Sequence, residues 1–254
     1  MERNGRGNHK MSVEKNVTLI VKTFERPQCL QRLIMSIQQF YPDIHIIVVD
    51  DSQHPIPIPD VEYCILPFAT GTSIGRNLAV SKVKTKYFMT LDDDFVFGPN
   101  TNLQIRYDVL ENTDIDIVGT NVADDQNRKG MLVSIENGVL YRWNASKGKS
   151  FDYPLHDYVP QCFMARTKEF KEAGGWDNDF IVWDHEALFL QILNKLKITI
   201  LPIIDILHKS ETNSIYSNYR WGTRLHQDRL RLNTKYGIHR SELLKSPPGW
   251  KAEE

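Results

Sequence analysis

Three consecutive carboxylates, Asp92-Asp93-Asp94, close the apolar run Tyr87-Phe88-Met89-Thr90-Leu91 and stand just before Phe95-Val96-Phe97-Gly98-Pro99. Adjacent carboxylates repel one another unless a cation or solvent neutralises them, and hard divalent cations take oxygen ligands. If strand geometry persists, Asp92 and Asp94 share a face and Asp93 points the other way, so at most two of them reach one ion. Two protein carboxylates leave coordination positions open, which is how Mg2+ or Mn2+ is held when substrate phosphates complete the shell. A solvated acidic turn fits the same letters. A second acidic pair, Asp50-Asp51, closes another apolar run, and further carboxylates fall in Trp183-Asp184-His185-Glu186.

The elements that must position these groups alternate. Val17 to Val21 reads as a buried strand, Leu30, Leu33, Ile34 and Ile37 follow at helical spacing, and Ile44 to Val49 is a second near-continuous apolar strand. A short strand near Tyr63 to Leu66, the loop Gly71 to Gly75, a helix from about Arg76 and the strand ending at Leu91 continue the pattern. Such alternation predicts an α/β fold with a mainly parallel sheet flanked by helices, whose ligands bind beyond the carboxyl ends of the strands. Downstream, Ile115 to Val118 suggests another strand, Leu132 to Trp143 reads as a hairpin turned at Asn137-Gly138, and the sheet becomes mixed. A strand through Phe163 to Ala165, a helix from Trp183-Asp184 through Leu196 and a strand from Ile198 to Leu207, ending at His208, complete the expected core.

Length and composition narrow the class. The 254 residues, 41% hydrophobic, suit one large domain, and a formal charge of −1 gives no basic field, so nucleic-acid binding has no compositional support. Cys29, Cys64 and Cys162 lack C-x-x-C spacing, which excludes zinc ribbons and thioredoxin-like motifs. No run of about 18 apolar residues occurs, so no transmembrane segment is expected in this chain, which reads as soluble as given. Residues 1–15 are expected to be disordered, and residues 16–254 to form a single domain with a basic, helical C-terminal tail. That tail reads as a surface helix or as a lid over the site.

An apolar strand followed by Asp92-Asp93-Asp94-Phe95-Val96 resembles the nucleophilic motif of haloacid-dehalogenase-type phosphatases, with Asp92 as nucleophile, although that motif ends the first strand of its fold and here at least three strands precede it. The wider pattern of Lys22-Thr23-Phe24-Glu25-Arg26-Pro27, Val49-Asp50-Asp51-Ser52 and the aspartate triplet resembles nucleotide-diphospho-sugar transferases of the GT-A type. More narrowly, FYPDIHIIVVDDS, GRNLAVSKVKTKYFMTLDDDFVF and QCFMART are similar to the animal β-1,4-N-acetylgalactosaminyltransferases of ganglioside-type and related glycans.

That resemblance implies a GT-A (Rossmann-like) fold and inverting transfer, with Mn2+ (or Mg2+), of N-acetylgalactosamine from a UDP-sugar to a glycan or glycolipid acceptor. It implies that Thr23, Arg26 and Asp51 lie near the uridine and that Asp92, Asp93 and Asp94 serve the diphosphate and its metal. Arg76 and Asn77 would open a helix suited to an anionic donor. His208 becomes a third metal ligand, and Asp157 a contact to the donor sugar or the acceptor. Gly174-Gly175-Trp176-Asp177 through Glu186 resembles the acidic-helix element of inverting enzymes, where a carboxylate removes the acceptor proton. Asp184 suits the N-cap, and Glu186, in the first turn, is the expected base. The resemblance also implies a place in the Golgi lumen, where such enzymes are held by an anchor and stem that are not expected within this sequence. A nucleotide-sugar or glycan-binding module without turnover is the non-enzymatic alternative.

Overall fold

The structure, a computed structural model, describes residues 13–122 and 130–244. Most of the segment expected to be disordered lies outside the described residues, but residues 13–16 are helical and Val13 is fully buried, so the folded core begins before residue 16.

The chain runs β1 (Val17–Thr23), α1 (Pro27–Phe40), β2 (His45–Asp50), β3 (Glu62–Ile65), α2 (Thr72–Lys82), β4 (Tyr87–Asp92), β5 (Phe95–Phe97), α3 (Leu103–Asn112) and β6 (Ile117–Val122). It continues with β7 (Met131–Glu136), β8 (Val139–Asn144), β9 (Lys149–Ser150), β10 (Tyr153–Pro154), β11 (Phe163–Arg166), α4 (Thr167–Ala173), α5 (Asp184–Gln191), β12 (Ile198–His208), α6 (Ser214–Trp221), α7 (Thr223–Tyr236) and β13 (Arg240–Leu244).

Eight strands form the main sheet in the order β3-β2-β1-β4-β11-β6-β12-β5. The pairs β3/β2, β2/β1, β1/β4 and β6/β12 are parallel, while β11 runs antiparallel to both β4 and β6. The sheet is therefore mixed and mainly parallel, with helices on both faces, as the alternation predicts. Leu30, Leu33 and Ile34 of α1 and Leu103 and Leu110 of α3 pack on one face. Ala79 and Val80 of α2, Phe170 of α4 and Leu188 and Phe189 of α5 pack on the other. Burying each such aliphatic side chain contributes about 1.5–3 kcal/mol, and this anchors the helices whose first turns face the strand ends.

Register sets what meets at the carboxyl edge. Thr23 pairs with Asp50 and Lys22 with Asp92, so β1, β2 and β4 end side by side. On the far side, β12 pairs antiparallel with β5 so that His208 lies opposite Phe95, which brings the histidine beside the aspartates.

The hairpin turns where expected, with Asn137 at φ 50° and Gly138 at φ 75°, the left-handed pair that a primed turn requires. It joins β13 in a separate sheet ordered β13-β8-β7. Helix α5 ends at Gln191, short of the predicted Leu196, because Asn194 adopts φ 60° and breaks the helical path. The basic tail is helical, divided at Gly222 into α6 and α7.

Candidate active site

A cavity of about 330 Å3 opens at the carboxyl edge of the sheet, lined by Arg26, Arg76, Asp92, Asp94, Asp184 and His208 together with Gln161, Tyr216, Arg220 and Trp221. The triplet does not keep strand alternation. Strand β4 ends at Asp92 and the chain turns through residues 93 and 94, so Asp93 and Asp94 both face Arg26 while Asp92 faces Arg76. The partners thus depart from strict alternation, because the two-residue period holds only while the backbone stays extended, but Asp92 and Asp94 still line one cavity and Asp93 is buried away from it.

Arg26 clamps the turn. Its Nη1 donates to Asp94 Oδ2 at 2.8 Å, its Nη2 donates to Asp93, and its guanidinium lies 4.0 Å from the centre of the Tyr216 ring. Thr23 Oγ1 donates to Asp93 Oδ2 at 2.7 Å. Burial pushes the Asp93 carboxyl up to about 6 against the pull of Arg26. At Asp94 burial also pushes upward, but the hydrogen bond from His208 and the Arg26 charge outweigh it and hold this carboxyl below its ordinary range. His208 Nε2 is 3.3 Å from Asp94 Oδ2, and its ring meets Phe95 edge-on.

Arg76 makes the second clamp. It ion-pairs with Asp184 and donates to Asp92 Oδ1 at 2.6 Å, so one guanidinium ties the end of β4 to the start of α5. Burial raises the Asp184 carboxyl above its ordinary value, opposed by Arg76 and assisted by Asp92. Asp184 is the first residue of α5 and not its N-cap: Trp183 holds that position and makes no side-chain cap. Glu186 turns to a different wall, 3.5 Å from Arg142, in an adjoining cavity of about 410 Å3 that also meets Tyr158, Trp183 and Trp221. Residues two apart on a helix point about 200° apart, and here Asp184 lines the cavity with Asp92 and Asp94 and also borders the adjoining one, whereas Glu186 faces the adjoining one.

Other expected residues buttress the cavity without lining it. Asp51 is fully buried, ion-paired to Lys22 and accepting from Gly71 N at 2.7 Å. Gly71 adopts φ 113° and packs so that a Cβ would come within 3.0 Å of Ile181, so glycine is required there. Helix α2 begins at Thr72, which places Arg76 and Asn77 in its second turn and not at its opening; its first amides serve Asp51 and Ile181 O. Asn77 instead brackets Trp176, donating to Trp176 O at 2.6 Å and accepting from Trp176 N at 3.0 Å. Asp157 lies outside the cavity, paired with Lys147 and accepting from Val133 N at 3.1 Å.

Sequence reasoning did not single out Lys22, Gln161, Tyr216 or Arg220. A lysine in an apolar strand, holding an aspartate at the next strand's end, was the available signal for the first. Among the described residues, no group of three or more His, Cys, Asp and Glu side chains is arranged to hold a metal ion. Asp94 and His208 nevertheless converge, and two protein ligands are what a divalent ion needs when phosphate oxygens supply the rest. The donor set fits such an ion.

Residues 18–174, from β1 into the turn after α4, match the profile described as glycosyl transferase family 2. The chain belongs to glycosyl transferase family 2. Among curated proteins, it is 37% identical over 204 residues to beta-1,4 N-acetylgalactosaminyltransferase 2 of Mus musculus, covering 77% of this chain and 40% of that protein. It is 33% identical over 238 residues to beta-1,4 N-acetylgalactosaminyltransferase 1 of Homo sapiens, covering 84% and 44%. The chain thus spans about two-fifths of the length of these relatives. Similar solved structures include S. aureus TarS 1-349 (TM-score 0.56, 12% identity, 76% of this chain and 60% of that one). The same protein in complex with UDP-GlcNAc gives TM-score 0.56 at 14% identity, covering 80% and 60%. These likenesses identify a GT-A fold. Membership of this transferase family sets aside the phosphatase reading, and the strand that carries the triplet is the fourth in the chain rather than the first.

Proposed function

We propose that this glycosyltransferase transfers N-acetylgalactosamine from its UDP conjugate, with inversion, to a hydroxyl of a glycan or glycolipid. The observation that carries the reading is one cavity lined by Asp184 and two carboxylates of the strand-end triplet, Asp92 and Asp94, with Arg26, Arg76, Arg220 and His208 around them. Cations able to meet a diphosphate and a partly buried carboxylate able to take a proton are the two parts displacement at an anomeric carbon needs.

Asp184 takes the proton of the acceptor hydroxyl as that oxygen attacks C1. The bond from C1 to the diphosphate oxygen breaks on the opposite side, and UDP leaves with the electron pair. Arg220, whose guanidinium lies 5.3 Å from the Trp221 ring centre, is placed to stabilise the leaving charge. Arg76 keeps Asp184 oriented. Asp94 and His208 would hold Mn2+ or Mg2+, with Asp92 at the rim; when bound, the ion would supply positive charge to the diphosphate. Glu186 and Arg142, one cavity wall away, suit acceptor hydroxyls. The donor sugar and the β-1,4 linkage rest on the curated relatives, and action in the Golgi lumen rests on the family resemblance.

Titration calorimetry of UDP tests the site. Wild type is expected to bind at about micromolar Kd in the presence of Mn2+ and at least tenfold more weakly without it. Asp94→Asn is expected to lose the metal-dependent part. Absence of UDP binding with either metal would sink the transferase reading. Tight UDP binding without transfer to any acceptor would favour a binding module.

A further inference from the structure

Asp228 lies within α7, and its carboxylate is fully buried. One oxygen, Oδ2, accepts three successive backbone N–H groups, from Ile181 at 2.8 Å, Val182 at 2.7 Å and Trp183 at 3.1 Å. The other, Oδ1, accepts from Arg231 Nη1 at 2.7 Å. A carboxylate withdrawn from water is tolerated when it is paired and hydrogen-bonded, and this one is both.

The three amides lead directly into α5. Helix N-termini leave N–H groups without intrahelical partners and carry partial positive charge, and the local N-cap, Trp183, provides no side-chain acceptor. Asp228, from a helix later in the chain, meets Trp183 N at the N-cap and the two amides before it, so it holds the turn that leads into α5. From the opposite side Thr72 N donates to Ile181 O at 2.8 Å, and Gly71 packs against Ile181, so the turn is held between the start of α2 and the middle of α7. The residue that follows the turn is Asp184.

We infer that Asp228 is a positioning residue for Asp184: by gathering the amides of residues 181–183 it sets where the first residue of α5 presents its carboxylate. Its kinetic consequence rests on the transfer reading above; its structural consequence does not. The basic tail thereby contributes to the site through a buried acid as well as through the arginine and tryptophan that line the cavity.

The test uses the full chain with Asp228→Asn, Arg231→Ala and, as a control for lost stability, Leu110→Ala, which removes a fully buried side chain of α3 from the core on the other face of the sheet. Hydrogen exchange at residues 181–183 is expected to accelerate about 10- to 100-fold in Asp228→Asn, and less in Arg231→Ala, relative to Leu110→Ala. Turnover is expected to fall about 10- to 100-fold in Asp228→Asn with KM for the UDP-sugar unchanged, whereas Leu110→Ala lowers Tm and keeps turnover. Unchanged exchange at these amides in both Asp228→Asn and Arg231→Ala would overturn the inference, and so would equal loss of turnover in Leu110→Ala at matched Tm. Should Asp228→Asn fail to fold, Arg231→Ala decides by the same readouts. If wild type transfers no sugar, the functional reading fails, and exchange by itself supports or overturns the role of Asp228.

Discussion

Asp184→Asn is expected to lower turnover by about 10²- to 10⁴-fold while leaving UDP affinity unchanged. The substitution keeps the shape of the side chain and a hydrogen-bonding oxygen for Arg76, but removes the capacity to take a proton. Asp92 remains to hold Arg76 in place, so the cavity should survive. A steady-state comparison with Glu186→Gln separates the two acidic residues: the second variant is expected to raise acceptor KM and to keep turnover, because Glu186 faces Arg142 in the adjoining cavity. Loss of turnover in Glu186→Gln with full turnover in Asp184→Asn would reverse the assignment.

As the proposed base, the same residue should set the pH dependence. Burial raises the Asp184 carboxyl despite the nearby Arg76 charge, with Asp92 adding to the rise. A base acts in its ionised form, so kcat/KM should climb with pH through a limb lying above the ordinary carboxylate range, and Asp184→Asn should abolish that limb. A limb at the ordinary carboxylate position in wild type would show that a more exposed group is the base.

How far such detail was legible in the sequence depends on what each feature rests on. Strands β1, β2 and β4 are apolar on both faces, and buried parallel strands announce themselves as continuous runs. The hairpin was legible because Asn137-Gly138 meets a backbone requirement few residue pairs meet. The orientation of the triplet was not, since it depends on where β4 stops pairing, which the antiparallel approach of β12 to β5 helps to set. The start of α2 was hidden for a similar reason: its first turn holds little apolar periodicity, and Gly71 and Asp51 determine it through a contact between distant segments. Asp228 read as one charge in a basic, solvent-facing helix, because nothing local distinguishes a carboxylate that gathers the amides of a distant turn from one that meets water. Which of Asp184 and Glu186 lines the cavity with Asp92 and Asp94 turned on a helix phase that required the cap residue to be known.

Asp205→Ala is expected to destabilise the fold by about 3–5 kcal/mol, the loss usual when a buried charge is stripped of its partner. Arg106 is fully buried in α3, and its guanidinium donates to Asp205 Oδ1 at 2.5 Å and Oδ2 at 2.9 Å, to Asn102 O at 2.8 Å and to Thr120 Oγ1 at 2.9 Å. Without Asp205 the positive charge has no counterion in a low-dielectric setting, and desolvation is no longer offset. For a domain of this size that loss corresponds to a fall in Tm of roughly 10 °C, measurable by thermal or denaturant unfolding. The double variant Arg106→Met/Asp205→Leu should recover part of it, because an apolar pair leaves no buried charge unpaired, although Asn102 N, Asn102 O and Thr120 Oγ1 each lose a partner. If the double variant is no more stable than the single one, the damage lies in shape and not in charge. The pair also bears on the site: Asp205 lies on β12, the strand that ends at His208, and its Oδ2 accepts from Asn102 N at 2.9 Å, tying that strand to the start of α3. A β12 loosened at Asp205 should hold His208 less firmly beside Asp94, so the metal-dependent part of UDP affinity should weaken in Asp205→Ala and return in the double variant. A recovery of Tm without a recovery of affinity would mean that Asp205 shapes the cavity by a route other than the strand that carries His208.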